Sequence, residues 1–248
     1  MIVFFVCFFF ELIFLFPRKK ETYFLTKKQK TKTQKGPDWY KGGRLLRKQA
    51  TFDDFAAVAR HLVSKRFARP NAMVIGGRSA GGLLMGVMAN RAASNHESVP
   101  DFAGIILQVP FVDVVGTMID PEMPWTEFEY DEWGDPNNED HLRNMASYSP
   151  YENIVAKGKY PPMLVLGGWH DSRVSFSEPA KFVAAIRHLA EKSDTVLLHT
   201  FMAGHLDDAN SDSALDLTAL EYAFILDAVA SRCAGKLLFI IILFWFWF

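Results

Sequence analysis

Gly77-Arg78-Ser79-Ala80-Gly81 follows the apolar run Met73-Val74-Ile75 and precedes the helix-like stretch Gly82-Leu83-Leu84-Met85-Gly86-Val87-Met88. A serine at the centre of G-x-S-x-G, where a strand turns sharply into a helix, sits on a strained turn. Residues two places to either side must be small, because a Cβ there would collide with neighbouring backbone. Such a turn lifts the Ser79 hydroxyl above the sheet and aims the first N–H groups of the helix, Ala80 foremost, at the place where the oxyanion of an acyl transfer forms. The pentapeptide alone suits a structural glycine pair as well as a nucleophile.

The elements downstream favour the nucleophile. Pro162-Met163-Leu164-Val165-Leu166-Gly167-Gly168 reads as a buried strand ending in Trp169-His170-Asp171, and Thr195-Val196-Leu197-Leu198-His199-Thr200-Phe201 as another ending in Met202-Ala203-Gly204-His205. Serine, aspartate and histidine thus follow in the chain order of an α/β-hydrolase, each just past the C-terminal end of a predicted strand, where catalytic groups of parallel sheets collect. Around them the chain alternates strand and helix. Thr51-Phe52-Asp53-Asp54 predicts a helix start with Thr51 as cap, and Phe55, Ala59, Leu62, Val63 and Phe67 line one face. Strands at 72–75 and 105–109, the elbow helix to about Ala93, and helices over 176–191 and 214–230 complete a pattern of four strands, hence a mainly parallel sheet flanked by helices.

Half of the 248 residues are hydrophobic, enough for one globular domain with a large core. Residues 18–35 carry eight Lys or Arg and one acid, a charge of +7 that leaves −8 for the rest. An acidic body argues against nucleic acid as a partner and suits cationic substrates. The basic stretch has the charge to hold anionic lipid or nucleic acid, but its Lys-Gln-Lys-Thr-Lys-Thr-Gln-Lys run is the composition of a solvated, disordered linker. Cys7 and Cys233 form no disulfide framework, and a reducing, cytoplasmic compartment follows. Residues 1–17 are apolar apart from Glu11, lack the basic start and cleavage site of a secretory signal, and fall short of the ~20 residues of a membrane span. They read as a membrane anchor or as a spurious extension, and residues 233–248 as an apolar tail that would be an aggregation liability if exposed. The expected layout is therefore an apolar segment over 1–17, a basic linker over 18–35, a catalytic domain over 36–232 and a tail over 233–248.

Residues 36–230 resemble the C-terminal part of the catalytic domain of oligopeptidase B, within the prolyl oligopeptidase family of serine peptidases. The matching stretches include Trp39-Tyr40 with Gly43 and Leu46, Thr51-Phe52-Asp53-Asp54-Phe55, Gly77 to Gly86, Gln-Val-Pro-Phe-Val-Asp-Val-Val at 108–115, and Asp131-Glu132-Trp133-Gly134-Asp135-Pro136. Ser147-Tyr148-Ser149-Pro150-Tyr151, Glu178-Pro179-Ala180-Lys181 and Ala203-Gly204-His205 extend the match.

The resemblance implies Ser79 as nucleophile, His205 as general base and then acid, and Asp171 as the carboxylate that orients the imidazole, a division that acyl transfer by a weakly acidic hydroxyl requires. It implies cleavage of short peptides after Arg or Lys, with Glu129 and Asp131 as the two carboxylates before Glu132-Trp133-Gly134. Spaced two apart, they would face one side of an extended loop and offer a guanidinium two acceptors. Arg173 matches an arginine that holds a substrate backbone carbonyl. No metal or organic cofactor is called for. The family's N-terminal β-propeller, its early catalytic strands and the tyrosine that is its second oxyanion donor have no counterpart in this sequence. A partial α/β-hydrolase fold is therefore expected, with a central strand exposed as an edge unless another chain supplies the missing segments. A catalytically impaired fragment and a carboxylesterase of the same fold stay open as alternatives.

Overall fold

The computed structural model describes residues 2–8, 37–123, 125–205, 212–232 and 239–245. The basic linker lies outside them. Strands β1 (Ile2–Phe8), β2 (Met73–Arg78), β3 (Gly104–Gln108), β4 (Met163–Gly168), β5 (Val196–Phe201) and β6 (Phe239–Trp245) form one parallel sheet in the order β1-β6-β2-β3-β4-β5. The helices are α1 (Pro37–Lys41), α2 (Gln49–Ser64), α3 (Ala80–Ala93), α4 (Val114–Met118), α5 (Glu139–Tyr148), α6 (Ser177–Leu189) and α7 (Asp212–Arg232). Among the described residues no helix is long and apolar enough to cross a membrane.

The central strands are apolar on both faces, as strands covered by helices on each side must be. Met73, Ile75, Ile105, Leu107, Met163 and Val165 join Phe52, Ala59, Met85, Met88, Phe182 and Ile186 of α2, α3 and α6 in the larger core. Their neighbours Val74, Ile106, Leu164 and Leu166 face the other way, onto Phe224, Ile225, Ala228 and Val229 of α7. This alternation fixes the register that brings the C-terminal ends of β2, β4 and β5 to one edge.

Two expectations need correction. Thr51 does not cap α2: the helix starts at Gln49, and the Thr51 hydroxyl instead donates to Gly43 O at 3.0 Å, tying the helix to the preceding turn. The edge expected at β2 is covered as well. β6 pairs with β2 from Met73↔Ile240 to Arg78↔Trp245, and β1 pairs with β6 from Ile2↔Phe239 to Phe8↔Trp245. The apolar terminal runs suggest an anchor or spurious extension and a tail, yet a continuous apolar run is also what an interior parallel strand such as β6 requires.

Candidate active site

The turn after β2 is built by crowding. Ser79 has φ 55° and ψ −119°, a conformation costly for a side chain with a Cβ. The turn is anchored by Ser79 N donating to Gln108 O of β3 at 2.9 Å, and by the amides of Gly82 and Phe111 donating to Ser79 O at 2.8 and 3.2 Å. A Cβ at Gly77 would lie 2.3 Å from Gly81 O, so glycine is obligatory there. Ala80 follows as the first residue of α3, and its N–H has no partner within the helix.

The loops after β4 and β5 close onto this turn. His170 N donates to Ala203 O at 3.2 Å and Trp169 N to Phe201 O at 2.9 Å, while a Cβ at Gly168 would meet Ala203 O at 2.8 Å. Asp171 is held by the amides of Arg173 and Val174, each donating to Oδ1 at 2.9 Å. Its other oxygen, Oδ2, lies 2.7 Å from His205 Nδ1, and His205 Nε2 lies 2.9 Å from Ser79 Oγ. A carboxylate only accepts, so Nδ1 carries the ring proton and Nε2 is left to accept from the serine hydroxyl. The Asp171 side chain is 1% exposed and that of His205 8%, whereas His61, His170, His188 and His199 are all exposed.

Ser79 opens into a cleft of about 500 Å³, partly solvent, whose walls include Ala80, Phe111, Trp125, Glu129, Trp133 and Arg173. Glu129 accepts from the Trp133 indole N–H at 2.6 Å, and burial raises its carboxyl above the usual glutamate range, against the opposing pull of that hydrogen bond and of the Arg173 charge. Arg173 is exposed and sits over the Trp125 ring, 5.3 Å from its centroid. Asp131 does not join them. Residues 127–129 form a 3-10 turn that continues through Glu132 N and Trp133 N donating to Glu129 O, so the segment is helical and not extended. Positions two apart then diverge and positions four apart meet. Asp131 is exposed outside the cleft, and its carbonyl accepts from Arg44 Nη1 at 3.0 Å.

Residues 19–232 match the prolyl oligopeptidase family. The chain belongs to that family. It is 40% identical over 221 residues to Protease 2 of Moraxella lacunata, spanning 89% of this chain and 31% of that protein. Identity to dipeptidyl aminopeptidase BI of Pseudoxanthomonas mexicana is 42% over 200 residues, spanning 79% of this chain and 27% of that one. Among solved structures, oligopeptidase B from Trypanosoma brucei, with covalently bound antipain in a closed form, superposes with a TM-score of 0.71 at 39% identity over 77% of this chain and 26% of its own. Oligopeptidase B from Leishmania major gives 0.70 at 37% over the same shares. The chain thus spans about a third or less of these family members.

Several supporting residues carried no chemical signal in the sequence. Arg78, buried beside Ser79, donates to the His205 carbonyl and so holds the histidine from its backbone. Glu178, fully buried in the first turn of α6, accepts from the amides of Val112 and Asp113 at 2.9 and 2.8 Å and from the Thr117 hydroxyl at 2.7 Å. It thereby pins the segment that carries Phe111 into the cleft, and burial outweighs its three donors to push its carboxyl up to about 8. An acid at a helix start reads simply as dipole-favoured, which hid it. Among the described residues no group of three His, Cys, Asp or Glu is placed to hold a metal ion.

Proposed function

We propose that this chain forms the reactive part of a serine peptidase that cleaves short peptides after Arg or Lys through an acyl-enzyme. Ser79 Oγ attacks the scissile carbonyl while His205 Nε2 takes its proton. Asp171 holds the ring tautomer and stabilises the imidazolium, and the Ala80 N–H faces the oxyanion. Collapse of the tetrahedral adduct breaks the C–N bond, with His205 returning the proton to the departing amine. Water then enters by the same base to release the acid and restore Ser79. Glu129 receives the basic side chain and Arg173 the substrate's backbone carbonyl, in a cleft where charge-assisted pairs are strong.

The single observation that carries this reading is the unbroken chain Asp171 Oδ2, His205 Nδ1 and Nε2, Ser79 Oγ, at 2.7 and 2.9 Å, opening into a cleft that holds the half-buried Glu129 carboxylate. The relatives named for Protease 2 and oligopeptidase B support it. With only Cys7 and Cys233 in the sequence, we assign it to a reducing, cytoplasmic compartment. The test is turnover of peptide amides ending in Arg, Lys or Leu, beside a simple phenyl ester, with Ser79→Ala as control. Hydrolysis of the Arg and Lys amides that vanishes in the variant is expected. Ester turnover without amide turnover would overturn the peptidase reading.

A further inference from the structure

Glu129 is not an isolated carboxylate. Three residues on, Glu132 is also largely buried, and its charge is one of the influences that push the Glu129 carboxyl upward. Lys48, at the start of α2 and more than eighty residues earlier, closes this arrangement. Its ammonium pairs with the Glu132 carboxylate and lies 4.3 Å from the centroid of the Trp133 ring. Lys48 is 7% exposed and Trp133 2%. Phe111, which lines the cleft, packs against the same indole at a centroid distance of 5.3 Å. Burial pulls the Lys48 ammonium below the usual lysine range, while the charges of Glu132 and Glu129 pull it back up, so lysine and both carboxylates interact.

Taking Glu129 as the carboxylate that receives the basic side chain, we propose that Lys48 is a positioning residue for substrate selectivity. It cancels Glu132 and, through the Trp133 ring, orients and strengthens the N–H bond that holds Glu129 ionised and aimed into the cleft. The physical steps are separate. A cation over an indole face draws electron density from the ring and makes its N–H a better donor, and the bond to a carboxylate is already charge-assisted. Pairing Glu132 with Lys48 removes one competing acid beside Glu129, the carboxylate that lines the cleft and that a guanidinium or ammonium would meet there. No contact with the reacting atoms is involved.

The test compares kcat and KM for an Arg peptide amide and its Leu counterpart, per active site titrated with a fluorophosphonate, in four proteins: wild type, Lys48→Met, Lys48→Arg and Lys48→Met/Glu132→Gln. Lys48→Met alone strands a buried carboxylate and is open to misfolding, so the double variant, which removes both charges together, decides the matter. The expected result is that the double variant raises KM for the Arg substrate about tenfold with kcat little changed and leaves the Leu substrate alone. Lys48→Arg, which keeps the cation, restores the preference. A parallel loss on both substrates, or an unchanged Arg-to-Leu ratio, would overturn the proposal. A wild-type ratio near one would overturn instead the assignment of Glu129 on which it rests.

Discussion

The two walls of the cleft are held by different means. On one side Ser79, Asp171 and His205 each follow a parallel strand by one to four residues, and backbone fixes them: Gln108 O at the elbow, the Arg173 and Val174 amides at the aspartate, and the His205 carbonyl under Arg78. On the other side Glu129 lies in a helical turn, and its carboxylate is held by a side chain, the indole four residues on, which itself lies against a lysine at the cap of α2 that pairs with Glu132. The first wall is as rigid as the sheet. The second depends on packing and charge, so change there should alter which substrate is taken before it alters the chemistry performed.

That contrast can be broken at graded points. The largest effect belongs to the first wall: Ser79→Ala or His205→Ala should lower kcat by about 10⁴–10⁶-fold with little change in KM, read from single-turnover hydrolysis. Asp171→Asn keeps the shape but supplies a donor where His205 Nδ1–H needs an acceptor, and a loss of about 10⁴-fold is expected, shrinking as pH rises. If Asp171→Asn left the rate within tenfold, the histidine would be oriented by something else. The second wall should respond less and selectively. Glu129→Gln removes one charge-assisted contact and should cut kcat/KM for an Arg substrate by about 10–100-fold while sparing the Leu counterpart. Equal losses on both substrates would erase the distinction between the walls.

The smallest effect concerns Glu178, which braces the second wall from beneath. Its carboxyl is raised to about 8, so above the ordinary glutamate range the folded chain keeps a proton that the unfolded chain has lost. Stability is then full at acid pH and falls as pH rises toward 8, by no more than about 1.4 kcal/mol per pH unit. Chemical unfolding across that window should show the slope, and Glu178→Gln should flatten it. A slope unchanged in the variant would mean that the carboxyl titrates in its ordinary range.

Legibility in the sequence followed the same division. The interior strands over 73–78, 104–108 and 163–168 and the edge strand over 196–201 show in the sequence as short apolar runs bounded by turn residues, and Ser79, Asp171 and His205 fall just past the ends of three of them. The elbow glycines were readable for a steric reason that the 2.3 Å approach at Gly77 bears out. The second wall resisted because its links span large separations: Lys48 to Glu132, and Glu178 to Val112 and Thr117. A stretch dense in acids suggests an extended loop, whereas i to i+4 contact within a helical turn selects Trp133 as the partner of Glu129 and leaves Asp131 outside the cleft. The strand character of 2–8 and 239–245 is hidden because each lies in a longer apolar run without turn residues at both ends, and it shows only in the pairing of β6 with β2 on one side and β1 on the other.

The chemistry of both walls rests on whether this chain assembles a reactive serine. Labelling of the folded protein by a fluorophosphonate probe tests it directly, with Ser79→Ala as control and an Arg-containing peptide as competitor. Labelling that is confined to Ser79 and suppressed by the peptide is the expected result. A folded preparation that takes up no label, or takes it up equally in Ser79→Ala, would contradict it.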